Sequence, residues 1–417
     1  MVFKFLHLAD VHLDTAFQSR SPQMRSFLRA SLREAFRSAI DLAISEDCHA
    51  LLVAGDLFDN ETLSFTTERF LLQQMNRLRE KNIAVFYAAG NHDPSGISYR
   101  AARMDWPANV HIFRSRRPEE VPLSDSEGNI RAVIAGAGYE GIRESENLAA
   151  LFPPAGSREI PHIGLLHALV TGAGGSQDHE RYAPCTLEDL REKDYKYWAL
   201  GHVHAGAIIS EDPHVVYSGS LMGRNARETG PKGVYLVEIH ANDVKVDFRP
   251  LAPVRWENIT VDSLEKAANL DKLQNIITGS VQEYFAEENP PERVFLRLNL
   301  TGPCPLYKEL NSPENIAVLE EELSFALNID YIEIKVEYLL PPVNPDHYRG
   351  KPHILGALLA VIDSVNADEE MLLQLAPEVL AGYQKKGDEA GKLLYLKSLL
   401  AGIDFEAAVR LLEADKL

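Results

Sequence analysis

The chain has 417 residues, of which 45% are hydrophobic, so it is long enough for two or three domains with real cores. Its formal net charge of −19 argues against tight, nonspecific binding of nucleic acid by the chain alone, because neutralising phosphates needs clustered Lys and Arg. Three dispersed cysteines without a CxxC pair, and the lack of any apolar run near the ~18 residues of a membrane span, predict a reduced, cytoplasmic protein without a membrane segment.

Short apolar runs along residues 1–240 are bounded by Gly, Asp or His and predict buried strands. The early runs alternate with amphipathic segments at 22–46 and 66–81, which predict helices. Later runs follow each other more closely, so the pattern favours an α/β sandwich of two packed sheets. The expected strands are Val2–Leu8, Ala50–Ala54, Ile83–Ala88, Val110–Phe113, Ala132–Ala135, Ile163–Leu166, Tyr197–Leu200, Val215–Tyr217 and Val234–Val237.

The pattern changes near residues 249–254. A small α+β domain is predicted beyond that point, with strands at 256–261, 294–300 and 332–338 and helices at 264–285 and 316–327. The proline-rich stretch 340–352 predicts a linker, and the remainder is expected to be helical. The expected domains are therefore 1–250, 251–343 and 344–417.

Polar side chains with metal-ligand chemistry follow five of the predicted strands. Ligand sites in α/β sheets assemble at the carboxyl ends of strands, so these five strand ends are expected to face one spot. The motifs are D-x-H, GDLFD, GNHD, a single His and GHVH. They supply Asp10, His12, Asp56, Asn91, His92, His167, His202 and His204.

This residue set predicts a site for two divalent ions. D-x-H and Gly-Asp alone are more often structural, whereas GNHD and GHVH are stronger ligand signals. All five motifs occur in order, each after an apolar run. Two carboxylates, one amide and four imidazoles, without a thiolate, favour Mn²⁺, with iron or zinc as alternatives. Seven ligands are too many for one ion but suit two ions that share a carboxylate, an arrangement that catalyses phosphoester hydrolysis.

The motif series resembles the calcineurin-like metallophosphoesterase superfamily. Within it, FLHLADVHLD, GDLFD and YSGSLMGRNARETGPKGVYLVEI are similar to SbcD-type DNA repair nuclease subunits, and the likeness is greatest to YhaO-type phosphoesterases. The resemblance covers residues 1–240 and implies a four-layer αββα sandwich. Residues 251–343 resemble the capping domain of those nucleases in order and size, and the residue pattern predicts the helical C-terminal region at 344–417.

The resemblance also implies roles for individual residues. His92 would protonate the leaving oxygen and would not bind metal. Asp93 is either a partner that orients His92 or a turn cap, and Asp59 either contacts the substrate or metal surroundings or caps a turn. Asp10, His12, Asp56 and His204 would hold the first ion, and Asp56, Asn91, His167 and His202 the second.

Three functions remain open at this point. The first is a Mn²⁺-dependent DNA exonuclease and endonuclease that works in repair or recombination with an SbcC-like coiled-coil ATPase, bound through the C-terminal helices. The second is a phosphoesterase acting on small molecules such as cyclic nucleotides, or on phosphoproteins, and the third is a non-enzymatic scaffold. A homodimer is among the expectations. Arg224 and Arg227 are candidate contacts to DNA in an otherwise acidic chain.

Overall fold

The computed structural model describes residues 2–18, 20–59, 63–96, 99–157, 159–172, 182–240, 243–286, 293–375 and 389–414. Its strands are β1 (Phe3–Leu8), β2 (Ala50–Val53), β3 (Ala84–Ala88), β4 (Val110–Phe113), β5 (Glu119–Ser124), β6 (Ile130–Gly136), β7 (His162–His167), β8 (Tyr197–Gly201), β9 (Ala207–Glu211), β10 (His214–Tyr217), β11 (Gly233–Ile239), β12 (Val244–Pro250), β13 (Arg255–Val261), β14 (Val294–Pro303) and β15 (Tyr331–Leu340). Its helices are α1 (Pro22–Ser45), α2 (Phe65–Glu80), α3 (Leu187–Arg191), α4 (Leu270–Tyr284), α5 (Pro313–Leu327), α6 (Ile354–Ala367), α7 (Glu369–Leu375), α8 (Glu389–Leu400) and α9 (Ile403–Ala414).

The strands form two six-stranded sheets and one three-stranded sheet. The first sheet has the order β12-β11-β1-β2-β3-β4, the second β5-β6-β7-β8-β10-β9 and the third β13-β14-β15. In the first sheet β1 to β4 run parallel, and in the second β6, β7, β8 and β10 run parallel. Parallel strands end at the same edge of a sheet, so the residues that follow β1, β2 and β3 are brought together, as are those that follow β7 and β8.

The two large sheets pack face to face and are covered by helices on their outer sides. Phe5 and Leu52 of the first sheet and Ile134 and Leu165 of the second belong to one buried cluster between the sheets. The other face of the first sheet packs on α1 and α2, and that of the second sheet on α3 and neighbouring loops. Each such fully buried Leu or Phe side chain contributes about 1.5–3 kcal/mol to folding. The α/β sandwich expected from the sequence is confirmed.

The nine strands expected before residue 240 are all present. The sequence missed β5, β9 and β12, each of which lies at an outer edge of its sheet. None of these three strands has a fully buried residue, so they lack the apolar run that marks a central strand.

By internal contacts the chain divides into two compact units. One comprises Met1–Asn258, Glu288–Arg297 and Ile329–Tyr331, and the other Ile259–Glu287, Leu298–Asn328 and Ile332–Leu417. The helical C-terminal region is present, and no helix of the described residues is long and apolar enough to cross a membrane. The separate capping domain at 251–343 and helical region at 344–417 stay predictions.

The helix expected at 264–285 begins later than predicted, at Leu270. Asn269 sets this start, because its side chain accepts a hydrogen bond from the Lys272 amide at 3.0 Å. The apolar Leu264 and Ala267, which suggested an earlier start, are buried in the turns before the helix.

Candidate metal centre

The loops that follow β1 and β2 run side by side and turn sharply. The amide of Asp10 donates to the carbonyl of Gly55 (3.1 Å), and that of His12 donates to the carbonyl of Asp56 (2.9 Å). Asp10, His12 and Asp56 have φ values of 49°, 48° and 52°, in the left-handed region that costs a non-glycine residue about 1–3 kcal/mol. The cross-loop hydrogen bonds hold this strained backbone, which lets three polar side chains face one point.

Two carboxylates and three imidazoles converge at that point. Nε2 of His12 lies 3.6 Å from Oδ2 of Asp56 and 4.0 Å from Oδ1 of Asp10. Nε2 of His167 lies 3.5 Å from Oδ2 of Asp56, and Nε2 of His204 lies 3.7 Å from Oδ1 of Asp10. These separations are close to the ~3–3.5 Å expected between two ligand atoms that each lie about 2.1 Å from one ion.

The ligand atoms sort into overlapping groups, each compact enough for one ion. Within the described residues these groups are Asp10 with His12 and His204, Asp10 with Asp56 and His167, and His12 with Asp56 and His92. Nε2 of His12 is fully buried and makes no hydrogen bond to any part of the chain that the structure describes. A buried nitrogen without a partner is costly, and an ion bound between Asp10 and Asp56 would satisfy it. The residues present therefore fit a divalent metal.

Asn91 and His202 join the cluster in different ways. Oδ1 of Asn91 lies 3.0 Å from Nε2 of His167, whose Nδ1 lies 2.9 Å from the carbonyl of Ala54. With Nδ1–H donating to that carbonyl, Nε2 is the ring atom left for a metal. His202 touches Asp10 through its backbone amide (3.0 Å), while its ring packs against His167 and Tyr182. The three compact groups of described residues include His12, His167 and His204 but not the ring of His202, which was also predicted to be a ligand.

The imidazoles around Asp56 keep its carboxylate ionised. Burial opposes its ionisation, but His167, His12 and His92 outweigh burial and hold its pKa at about 2. Asp56 also accepts a hydrogen bond from the His92 amide (2.9 Å). Oδ2 of Asp56 thus lies within 3.6 Å of imidazole nitrogens from both His12 and His167.

Asp93 lies away from the His92 ring and fixes the turn behind it. Its carboxylate accepts hydrogen bonds from the amides of Gly90 (2.7 Å), Asp56 (3.1 Å) and Leu57. Burial and the nearby Asp56 raise its pKa to about 7. Of the two roles considered for Asp93, the turn cap is the one its contacts match.

Asp59 instead lies beside His92, a contact that motif spacing did not reveal. Its Oδ1 is 3.1 Å from Nδ1 of His92 and 2.8 Å from Nδ1 of His12, and its Oδ2 accepts a hydrogen bond from the Thr15 hydroxyl (2.6 Å). The hydrogen bond to Asp59 raises the pKa of His92 to about 9, against the effect of burial. One carboxylate thus orients two imidazoles with different expected tasks.

Replacing Asp59 by asparagine should lower the pKa of His92 in the metal-free protein from about 9 towards its usual ~6.5, because the amide keeps the shape but loses the charge. His92 would then lose its proton between these two pH values, where the unmodified protein keeps it. Histidine NMR titration measures this shift. Asp125→Asn removes a carboxylate outside the cluster and is the matched control. A His92 pKa that stays near 9 in Asp59→Asn would assign the shift to Asp56 instead.

Glu228 is a residue at the site that the sequence analysis did not single out. It is almost buried, and its Oε1 lies 3.3 Å from Nδ1 of His204 and 3.2 Å from Nη2 of Arg224. Burial opposes its ionisation, but His204 and Arg224 hold its pKa far below the usual range. Glu228 lies in the segment YSGSLMGRNARETGPKGVYLVEI, but nothing in that pattern distinguishes it from the other charged residues there.

Glycine is required where the backbone comes closest to the ligands. A Cβ on Gly55, whose φ is +92°, would lie 2.3 Å from Nδ1 of His167, and one on Gly90 would lie 2.3 Å from Oδ1 of Asp56. Real Cβ atoms do not approach other atoms so closely. The glycines therefore allow the ligand side chains to occupy their positions.

Gly55→Ala is expected to destabilise the metal-free protein by about 2–5 kcal/mol, the sum of ~1–2 for a left-handed alanine and ~1–3 for overpacking against His167. It should also weaken Mn²⁺ binding, because His167 must move. Gly128→Ala is the matched control, since Gly128 has a φ of +86° and nothing within 4 Å. Urea unfolding and calorimetric Mn²⁺ titration measure the two effects. Equal stability losses in both variants would show that the contact with His167 is unimportant.

The sequence of the chain is similar to those of known phosphoesterases and nucleases. The family model described as calcineurin-like phosphoesterase matches residues 3–206. The uncharacterized metallophosphoesterase YhaO of Bacillus subtilis is 37% identical over 306 residues, 72% of each chain. The DNA double-strand break repair protein Mre11 of Archaeoglobus fulgidus is 25% identical over 63% of each chain. The SbcD component of the nuclease SbcCD of Escherichia coli K12 is 25% identical over 72% of this chain and 78% of its own.

Proposed function

Because the chain belongs to the calcineurin-like phosphoesterase family, and is therefore a metallophosphoesterase, we propose that it is a Mn²⁺-dependent phosphodiesterase that cleaves DNA. The observation that carries the proposal is the convergence of Asp10 and Asp56 with His12, His167 and His204. The family uses a dinuclear metal site. In the proposed site, Asp10, His12, Asp56 and His204 would hold one ion, and Asp56, Asn91, His167 and His202 would hold the other.

Two divalent ions at such a site supply polarisation of a phosphoryl oxygen and a water of lowered pKa. The oxygen and nitrogen donors, without thiolate, favour Mn²⁺, with iron and zinc as alternatives. His92 performs the proton transfer in this proposal. Its Nδ1 faces Asp59, so Nε2–H is the group left to donate a proton to the leaving oxygen. Its side chain is 47% exposed, which allows it to meet a substrate.

DNA is the proposed substrate because the similar proteins Mre11 and SbcD are a DNA repair protein and part of a nuclease by name. The net charge of −19 favours the second candidate, a phosphoesterase of small molecules such as cyclic nucleotides or of phosphoproteins, since such substrates need no extended basic surface. A non-enzymatic scaffold would not require the side chains of the ligand cluster to converge as they do.

The deciding experiment is hydrolysis of labelled single-stranded and double-stranded DNA, cyclic nucleotide and bis-p-nitrophenyl phosphate, each with Mn²⁺ and with a chelator. Mn²⁺-dependent cleavage of DNA supports the nuclease. Hydrolysis of cyclic nucleotide or the small diester, with DNA intact even after a partner is added, would favour the second candidate.

A coiled-coil ATPase is the proposed partner, as SbcD-type nucleases form one part of a two-part enzyme. The support on this chain is a row of exposed apolar residues on α6: Ile354, Leu358 and Val361, spaced one helical turn apart. Leu355 and Leu359 face the other way and pack with Ala408 of α9. The outer row is therefore open to a partner helix while the inner row holds the fold.

Ile354→Ser with Val361→Ser is expected to reduce association with the ATPase by ~10-fold or more and to leave hydrolysis of bis-p-nitrophenyl phosphate unchanged, because these side chains contribute to no described core cluster. Analytical ultracentrifugation of the mixed proteins measures association, and it also tests the expected homodimer. Glu406→Ser, at an exposed site on α9, is the control. Undiminished association of the double variant, or its loss in the control, would remove this surface from consideration.

A further inference from the structure

Arg224 is the guanidinium that reaches into the ligand cluster. Its Nη2 lies 3.0 Å from Nδ1 and 3.3 Å from Nε2 of His204, and Nε2 of His204 lies 3.7 Å from Oδ1 of Asp10. The ring of His204 in turn packs edge-on against the ring of His12, with 5.4 Å between the ring centroids. Arg224 is therefore close to the place where the substrate of a phosphoesterase must sit.

Glu228 holds Arg224 in this position. Its Oε1 accepts hydrogen bonds from Nε (3.3 Å) and Nη2 (3.2 Å) of Arg224, and its Oε2 accepts one from the Arg224 amide (3.3 Å). The hydroxyl of Ser220 donates to the same carboxylate (3.2 Å). These bonds use one edge of the guanidinium. Its Nη1 makes no hydrogen bond within the part of the chain that the structure describes, so two N–H donors are left for a ligand.

The chemistry of that ligand follows from the surroundings. The cluster contains the carboxylates of Asp10, Asp56, Asp59 and Glu228 in a chain of net charge −19. These carboxylates offset the charge of the two proposed ions, so a further cation beside them would favour an anionic substrate. A planar, pre-oriented guanidinium matches the oxygens of a phosphate better than a lysine ammonium does. We propose that Arg224, tethered by Glu228, binds a non-bridging oxygen of the scissile phosphate. The proposal rests on the phosphodiesterase function proposed above.

Arg227 is the natural comparison. It lies on the same loop three residues further on and its side chain is exposed, whereas Arg224 is 17% exposed. The loop holds Arg227 through its backbone, whose amide donates to Oδ1 of Asn225 (2.9 Å). The two arginines were equal candidates by sequence, and the structure assigns substrate contact to Arg224 alone.

The test compares Arg224→Gln, Arg224→Lys and Arg227→Gln in the full chain. Mn²⁺ binding is measured by calorimetry, and inorganic phosphate is then titrated into each Mn²⁺-loaded protein. Hydrolysis of bis-p-nitrophenyl phosphate gives kcat/KM. We expect Arg224→Gln to weaken phosphate binding and lower kcat/KM on the order of 10- to 100-fold, which is the loss of a hydrogen bond to a charged group. For Arg224→Lys, phosphate affinity and kcat/KM should lie between those of the unmodified protein and of Arg224→Gln. Arg227→Gln should change each of these two quantities by less than about 2-fold.

Two outcomes would overturn the assignment. Equal losses of phosphate affinity and kcat/KM in Arg224→Gln and Arg227→Gln would show that only the overall positive charge of the loop matters, not a contact made by Arg224. Weaker Mn²⁺ binding in Arg224→Gln, with unchanged phosphate affinity of the loaded protein, would make Arg224 part of the metal centre's framework. If the unmodified protein hydrolyses no diester, the proposed function fails, and phosphate binding still decides whether Arg224 contacts a phosphate.

Discussion

Asp56→Asn is expected to lower metal-dependent phosphodiester hydrolysis by about 10³-fold. Oδ2 of Asp56 lies 3.6 Å from Nε2 of His12 and 3.5 Å from Nε2 of His167, so in the proposed site this carboxylate would contact both ions. Asparagine keeps the size of the side chain but loses the negative charge that two cations share. A loss of ~4 kcal/mol of metal-supplied stabilisation corresponds to this rate change.

The measurement pairs the rate with metal content. Mn²⁺ bound per chain, determined by calorimetry and elemental analysis, should fall below two in Asp56→Asn. Asp212→Asn makes the same change of charge on the β9–β10 hairpin and should keep both ions and the full rate. The fold should survive, because the asparagine oxygen can still accept the hydrogen bond from the His92 amide. Two tightly bound ions and an unchanged rate in Asp56→Asn would contradict a bridging role.

His92→Ala is expected to slow hydrolysis of DNA by about 10²–10⁴-fold, the usual contribution of a general acid. The DNA leaving group is an alkoxide and needs the proton. Bis-p-nitrophenyl phosphate releases a stable phenolate, so its hydrolysis should fall by a much smaller factor. The ratio of the two losses therefore distinguishes proton donation from a general disturbance of the site.

Metal binding gives the second readout for His92. The ring of His92 forms one of the compact groups with His12 and Asp56, so its position is also compatible with binding an ion. A proton donor can be removed without loss of metal, so His92→Ala should still bind two Mn²⁺ ions. His111→Ala, at a surface histidine paired with Glu119, is the control. Loss of one ion in His92→Ala, with equal slowing of both substrates, would make His92 a ligand.

The sequence alone was sufficient for the architecture and for the family. Central strands such as β2 and β8 are buried on both faces, so each appears as an apolar run, and every one expected before residue 240 is present. Polar residues directly after such runs, as in Asp56 and His202, must lie at the carboxyl edge of the sheet. Local pattern carries this information because strand burial and strand ends are local properties.

Other features were decided by tertiary structure. The edge strands β5 and β12 lack buried residues and gave no clear pattern. Asp59 and Asp93 are separated by 34 residues, and only the packing of the β2 and β3 loops shows that Asp59, not the neighbouring Asp93, contacts the ring of His92. Likewise Glu228 reaches His204 across 24 residues, and Arg224 but not Arg227 enters the cluster. Sequence determined which chemical groups the chain offers, whereas long-range contacts decided their partners, because adjacency along a chain does not determine which side chains meet after folding.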